Sequence, residues 1–213
     1  MITKTAKNRG ANTMTRAGRP QSTTRAELST LAIDLFTERG FDETSVDDVA
    51  AAAGIARRTL FRYFPSKNAI PWGDFDGHLG KMRDWLAATP GDLPLDEGLR
   101  RALIAFNEVP EVEHEHHRRR MQLLLEVPAL QAHSMLMYHE WRQIVAAHVA
   151  QRLGREPGAH LPQSIAWQLL GVSLAAYEQW LSDPASDLLT LLDEGCAVLS
   201  AGLPGTSADV PLR

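Results

Sequence analysis

Apolar residues recur at three- and four-residue spacing along almost the whole chain, and nowhere do they alternate long enough to nucleate a sheet. The pattern predicts an all-α protein of about nine helices. Leu28, Leu31, Ala32, Leu35 and Phe36 form the stripe of a first helix, which Thr23 or Thr24 can cap and which Gly40 ends after Arg39. In "TSVDDVAAAAG", Ser45 followed three positions later by Asp48 has the form of a capping box, so a short second helix runs from there toward Gly54. After the turn Gly54-Ile55-Ala56, residues 57–64 supply about two helical turns before Pro65 interrupts them. That order, length and punctuation are those of a helix-turn-helix.

Six further helices follow as a larger body. Ser66 can cap one reaching about Ala88, with Pro71 imposing a kink or a restart because it has no N–H to donate. "TPGDLP", residues 89–94, is a loop by composition, and a helix from about Leu95 to Asn107 comes after it. Pro110 opens the next, through "EVEHEHHRRRMQLLLE". Pro128 suits the first turn of the longest, to about Leu153, with Leu130, Met137, Trp141, Ile144 and Val145 as inward positions. Two Leu- and Ala-rich helices, about 163–181 and 185–201, complete the set. The expected division is a basic arm at 1–22, a helix-turn-helix domain at 23–70, a body at 71–202 and a tail at 203–213.

Charge sharpens that division. The net charge of -4 over 213 residues hides eleven lysines and arginines against seven acidic residues up to residue 71, and the reverse imbalance beyond it. Before Glu27 there is nothing acidic, but Lys4, Lys7, Arg9, Arg16, Arg19 and Arg25 are present, a composition attracted to phosphate or simply solvated. Apolar runs stay far short of the roughly 18 residues that span a bilayer, and the N-terminal stretch lacks the apolar centre of a secretory signal, so a cytoplasmic protein with no membrane partner is expected. Cys196 stands alone, which excludes an intrachain disulfide or a cysteine metal cluster.

The stretch "GIARRTLFRYFPSKNAI" then acquires a use. At about 3.6 residues per turn, Arg58 and Arg62 fall on one face of the third helix while Leu60 and Phe64 fall on another, ready to pack on the first two helices. A second helix of a helix-turn-helix lies in the major groove, where arginine can donate two bonds to guanine. Thr59 and Tyr63 add hydroxyls beside the basic face, and Lys67, beyond Pro65, can approach a backbone phosphate. Double-stranded DNA is the partner this composition fits.

Residues 23–70, through "AIDLFTERGFDETSVDDVAAAAGIARRTLFRYFPSKNAI", resemble the N-terminal domain of the TetR family of bacterial repressors. The resemblance implies a three-helix DNA-binding head on an all-α body that binds a small-molecule effector and forms a homodimer through its last two helices. It assigns DNA contact to Ala56, Arg57, Arg58, Thr59, Phe61, Tyr63 and Lys67, with Ser45 and Val46 at the start of the preceding helix, and the face reading adds Arg62. Phe61 departs from the usual tyrosine and has no hydroxyl for a phosphate, and Ala56 replaces a frequent serine cap. "SKNAIPWGDFDGHL", "QAHSMLMYHEWRQIVA" and "PQSIAWQLLGVSLAAYEQWL" are similar to the branch of the family that regulates genes for the peptide-derived redox cofactor mycofactocin. That likeness implies repression of those genes and a long-chain acyl-coenzyme A as effector; a regulator of lipid metabolism genes is the alternative within the class.

In the body, Trp85, Trp141, Trp167 and Trp180, with Met121 and Met137, either line an apolar cavity or fill the core. Arg118, Arg119 and Arg120 can bind a nucleotide's phosphates, but adjacent residues on a helix cannot all face one way, so one is expected at the cavity mouth. His114–His117 has helical spacing for two zinc ligands yet no second motif to complete a site; a solvated, pH-sensitive patch is expected, with no metal and no cofactor. Gly171, Ala175 and Ala176 suit close packing of the final helix pair. A small all-α acyl-thioester enzyme using Cys196 or a histidine is the competing class, weakened by the lack of an activating partner or triad in sequence.

Overall fold

A computed structural model describes residues 24–202, and among them finds nine α-helices and no strand. The head comprises α1 (Arg25–Arg39), α2 (Val46–Ala52) and α3 (Arg57–Tyr63). Thr24 caps α1 in a reciprocal box: its hydroxyl accepts from the Glu27 N–H at 3.1 Å and the Glu27 carboxylate accepts from the Thr24 N–H at 2.7 Å. Ser45 and Asp48 repeat the device at α2. Both carboxyls are held below their ordinary range by these bonds, because the charged form accepts them. Gly40 and Gly54 take the positive φ values, 92° and 65°, that end α1 and turn the chain from α2 toward α3. Leu28, Phe36, Val49, Leu60 and Phe64 are buried together at the centre of this three-helix unit.

The joint to the body is a restart. Residues 67–72 form a 3-10 turn containing Pro71, Gly73 follows at φ 58°, and α4 (Phe75–Ala88) begins afresh. The buried Ser29 hydroxyl of α1 donates to the Ile70 carbonyl at 2.8 Å, which ties the head to this turn. A Cβ at Gly73 would lie 3.3 Å from that hydroxyl, in addition to its unfavourable φ.

The body continues with α5 (Leu95–Asn107), α6 (His114–Glu126), α7 (Pro128–Leu153), α8 (His160–Ser182) and α9 (Leu188–Ala201). The long α7 packs against α4, α6 and α8, while α9 lies between α8 and α5. Leu103, Leu124, Leu130, Val145 and Leu192 are fully buried where these helices meet. Arg100 on α5 pairs with Glu97 at 2.7 Å and reaches Asp193 on α9; with Arg101 it holds the Glu97 carboxyl down to about 2.

Three starts differ from the sequence reading. Pro110 opens only a short 3-10 turn, Glu111–Glu113, before α6 begins at His114. α8 starts earlier, at His160. α9 starts later, because Asp183 first closes a turn onto the Ala185 N–H and Asp187 then caps the helix through the Thr190 N–H at 2.8 Å. Arg25, the last basic residue before Glu27, is the first residue of α1, pairing with Asp76 at 3.5 Å and lying over the Phe64 ring. Thr23 and the expected arm at 1–22 lie outside the described residues, as does the expected tail beyond residue 202.

Candidate nucleic-acid interface and effector cavity

The third helix has two chemically opposite sides. Leu60 and Phe64 are sealed into the head, 1% and 2% exposed, so the remaining face of α3 is fixed outward. On it Arg58 and Arg62 are exposed and form no ion pair among the described residues, and Arg62 lies over the Tyr63 ring at 5.7 Å. Arg57 is held differently: its guanidinium pairs with Asp47 of α2 at 2.7 Å and sits over the exposed Phe61 ring. Thr59 and Tyr63 are half-buried at the edge of this face. Ala56 precedes α3 with no side-chain cap, which leaves its first N–H groups open to solvent or to a partner. Ser45 is exposed and Val46 half-buried at the head of α2.

Lys67 is placed unlike a freely extended surface lysine. Its ammonium donates to the Phe41 carbonyl at 2.5 Å and rests 4.1 Å from the Phe41 ring centroid. Two of its three N–H donors stay unassigned by that bond.

The adjacent arginines of α6 diverge, as helical geometry requires. Arg118 stacks on Trp180 at 4.1 Å and donates to its carbonyl. Arg119 pairs with Glu115 at 3.1 Å and lies 3.6 Å from Asp34, linking α6 to α1 of the head. Arg120 turns inward; its buried Nε has no partner, and burial pulls its pKa below the usual arginine value.

Beside Arg120 the structure corrects the expected solvated histidine patch. Only His114 keeps that character, being exposed and bonded to the Val109 carbonyl at 2.9 Å, while the half-buried His116 has its Nε2 buried without a partner. His117 points into the body, 2.9 Å from the Tyr177 hydroxyl, and burial lowers its pKa to about 3, with the charge of Arg120 adding to the effect. The bonds order the protons: Tyr177 donates to Asn107 Oδ1 at 2.8 Å, so neutral His117 donates from Nε2 to the Tyr177 oxygen. Asn107 in turn donates to the Leu103 carbonyl at 2.7 Å. No cluster of three or more metal-ligating side chains occurs among the described residues.

Of the expected ligand residues, Met121, Trp141 and Trp180 are buried, Trp85 and Met137 are half-buried, and Trp167 is 47% exposed with Arg142 stacked 3.6 Å over it. The aromatic wall that the body presents inward is largely a different set: Trp72, Phe75, Phe106 and Tyr138, joined to Trp141 by edge-to-face contacts of 4.7–6.4 Å. A groove of about 490 Å³ between α4 and α7 is lined by Arg83, His139, Gln143 and His148 among others, and by none of the nine expected ligand residues. Trp72 and Phe75 escape a helix-by-helix reading because they flank the joint, and Tyr138 and Tyr177 because a tyrosine's polar tip suits a solvated position as well as an inward one. The usable signal was polar-tipped aromatics at inward positions of otherwise aliphatic helices.

Residues 30–70 match the description "Bacterial regulatory proteins, tetR family", and residues 93–204 match "MftR C-terminal domain". The chain therefore belongs to the TetR family of bacterial transcriptional regulators, a class of DNA-binding proteins. Within it, the chain is 50% identical over 188 residues to a candidate mycofactocin biosynthesis transcriptional regulator, MftR of Mycobacterium tuberculosis (strain ATCC 25618 / H37Rv), covering 88% of this chain and 95% of that one. Among solved structures it is similar in fold to the TetR-family repressor FadR of Thermus thermophilus in complex with lauroyl-CoA, at 21% identity and TM-score 0.58, covering 89% of this chain and all (100%) of that one. It is likewise similar to Bacillus subtilis FadR in complex with stearoyl-CoA, at 18% identity and TM-score 0.57, covering 83% and 97%. No helix among the described residues is long and apolar enough to cross a membrane.

Proposed function

We propose that this regulator is a homodimeric repressor of mycofactocin biosynthesis genes, released from its operator by a long-chain acyl-coenzyme A. The observation that carries the DNA half is the outer face of α3, where Arg58 and Arg62 stand exposed while Leu60 and Phe64 lock the helix in place. That arrangement suits insertion into a major groove. Two such heads need about 34–36 Å between half-sites, which a two-fold dimer supplies. Its surface is read from the exposed apolar residues of the last helix pair, Leu161, Trp167, Val198 and Leu199, around the exposed Gly171.

The target genes rest on the relative at 50% identity, and the effector on the two acyl-CoA complexes of similar fold. Those same complexes support a second reading, a regulator of lipid metabolism genes. The enzymatic reading loses its nucleophile: the Cys196 thiol is buried and burial raises it to about 11, far from the thiolate that such chemistry needs. The Arg119–Asp34 pair and the Ser29–Ile70 bond are two routes by which a change in the body can reposition the head.

Gel-shift titration against the DNA upstream of the mycofactocin genes, at fixed salt, tests the proposal. A specific shift released by oleoyl-CoA supports it; a specific shift that oleoyl-CoA leaves unchanged discards the effector, and binding no stronger than to competitor DNA discards the repressor. Lys67→Met is expected to weaken binding to all sequences alike and to lower the slope of log affinity against log salt by about one, because a phosphate contact carries no base information. An unchanged slope would assign Lys67 to holding the Phe41 carbonyl alone.

A further inference from the structure

We infer that the interior between the 67–72 turn, α6, α7 and α8 binds an anionic oxygen group at the end of a long apolar ligand, through Arg120, Trp72 and Tyr138. The inference rests on the effector reading above and names the recognition chemistry within it. The turn and α7 both pack on α6 and on each other, and α6 packs on α8, so the four elements enclose one interior. Two donors there are buried and unpartnered, Arg120 Nε and Trp72 Nε1, and the Tyr138 hydroxyl is buried beside Ser134, whose own hydroxyl donates to the Leu130 carbonyl. The Trp72 and Tyr138 rings are 5.8 Å apart, edge to face, and Arg120 lies about one turn along α6 from His117, which bonds the Tyr177 hydroxyl at 2.9 Å. Arginine and indole N–H groups can only donate, so what completes them is an acceptor.

The chain supplies no direct acceptor among the described residues. Arg120 makes no ion pair there: Glu115 is taken by Arg119, and the Glu113 carboxylate acts on Arg120 only from beyond contact distance. The neighbouring relay runs from His117 through Tyr177 to Asn107 and the Leu103 carbonyl, and it contains no anion and takes no bond from Arg120. His117, neutral at ordinary pH, adds no competing cation. A guanidinium cannot escape its cost by deprotonating, and buried polar groups without partners are rare in native proteins. An entering carboxylate or phosphate oxygen would supply both the missing charge and the missing acceptor. Phe75, Phe106 and Trp141, continuous with Trp72, offer the apolar surface for the attached chain.

The carboxylate of a fatty acid and the phosphates of an acyl-coenzyme A both present this chemistry. Calorimetric titration of the full chain with oleate, oleoyl-CoA and oleyl alcohol separates them and the site. The wild type should bind at least one of the two anions, and Arg120→Met should weaken that binding at least about ten-fold, the value of a lost charge-assisted bond. Trp72→Phe, which keeps the ring and removes the N–H, should weaken it several-fold, while oleyl alcohol should bind weakly and equally to all three proteins. Oleate alone binding identifies a carboxylate; oleoyl-CoA alone identifies the phosphate-bearing ligand. Arg120→Met should melt no lower than the wild type without ligand, since it removes a half-buried cation whose buried Nε has no partner, whereas a merely structural arginine would lower the melting temperature. If both variants bind the anions like the wild type, the effector reading stands and this site is wrong. If the wild type binds neither anion, the ligand class is wrong while operator binding, read separately by gel shift, is untouched.

Discussion

Phe36→Ala is expected to cost about 3–5 kcal/mol of folding stability, the usual range for truncating a buried phenylalanine. Phe36 is 1% exposed, meets the Phe41 ring edge to face at 4.9 Å, and lies beneath the Lys67 ammonium at 5.8 Å. It therefore supports the α1 stripe, the chain reversal after Gly40 and the lysine beyond α3 at once. Domains are typically stable by only about 5–15 kcal/mol, so the loss is a large fraction of what holds a three-helix unit together. The body keeps its own core around Leu124, Leu130 and Val145, far along the chain from the cavity this change creates. Urea unfolding followed by circular dichroism should split into two transitions, the first at lower denaturant than in the wild type. Operator binding should fall with the first and ligand binding persist to the second. A single transition that abolishes both together would show that head and body fold as one unit.

The second large effect concerns the groove contact. Arg58→Ala should lower affinity for the operator by about 1–3 kcal/mol, or about 5- to 150-fold, if its guanidinium reads a base edge. Competitor DNA should bind almost as before. Arg58 is the informative choice because, unlike Arg57, it has no carboxylate partner to lose, so the change leaves no orphaned group in the head. Gel shifts of wild type and variant on operator and on scrambled duplex, at one salt concentration, decide the point. Equal weakening on both duplexes would assign Arg58 to a phosphate and shift base reading to Arg62 or Thr59.

The helices were legible because their ends are written in residues with strong local preferences. Thr24 with Glu27, Ser45 with Asp48, and the glycines at 40 and 54 fix the head through bonds spanning only a few positions. The same holds for Pro128 at the start of α7 and Gly154, left-handed at φ 63°, at its end. Starts failed where a short turn preceded the helix, as at Pro110 and Asp183, because proline and aspartate open a 3-10 or Asx turn as readily as a helix. The outward face of α3 followed from periodicity alone. The interior of the body did not, since which of several tryptophans points inward depends on α5, α6, α7 and α8 meeting. His117 shows the limit most clearly: its neighbours in sequence are charged, whereas its neighbours in space are Tyr177 and Trp180.

Cys196 is the one cysteine of the chain, and it sits 4% exposed on α9, packed into the body. A protein so built carries its own stopwatch. The thiol can meet a water-borne disulfide reagent only when α9 lifts from its neighbours, so the rate of labelling counts those openings directly. Because no other sulfur reacts this way, every event timed belongs to the body, and an effector that tightens it would slow the clock without any probe being attached.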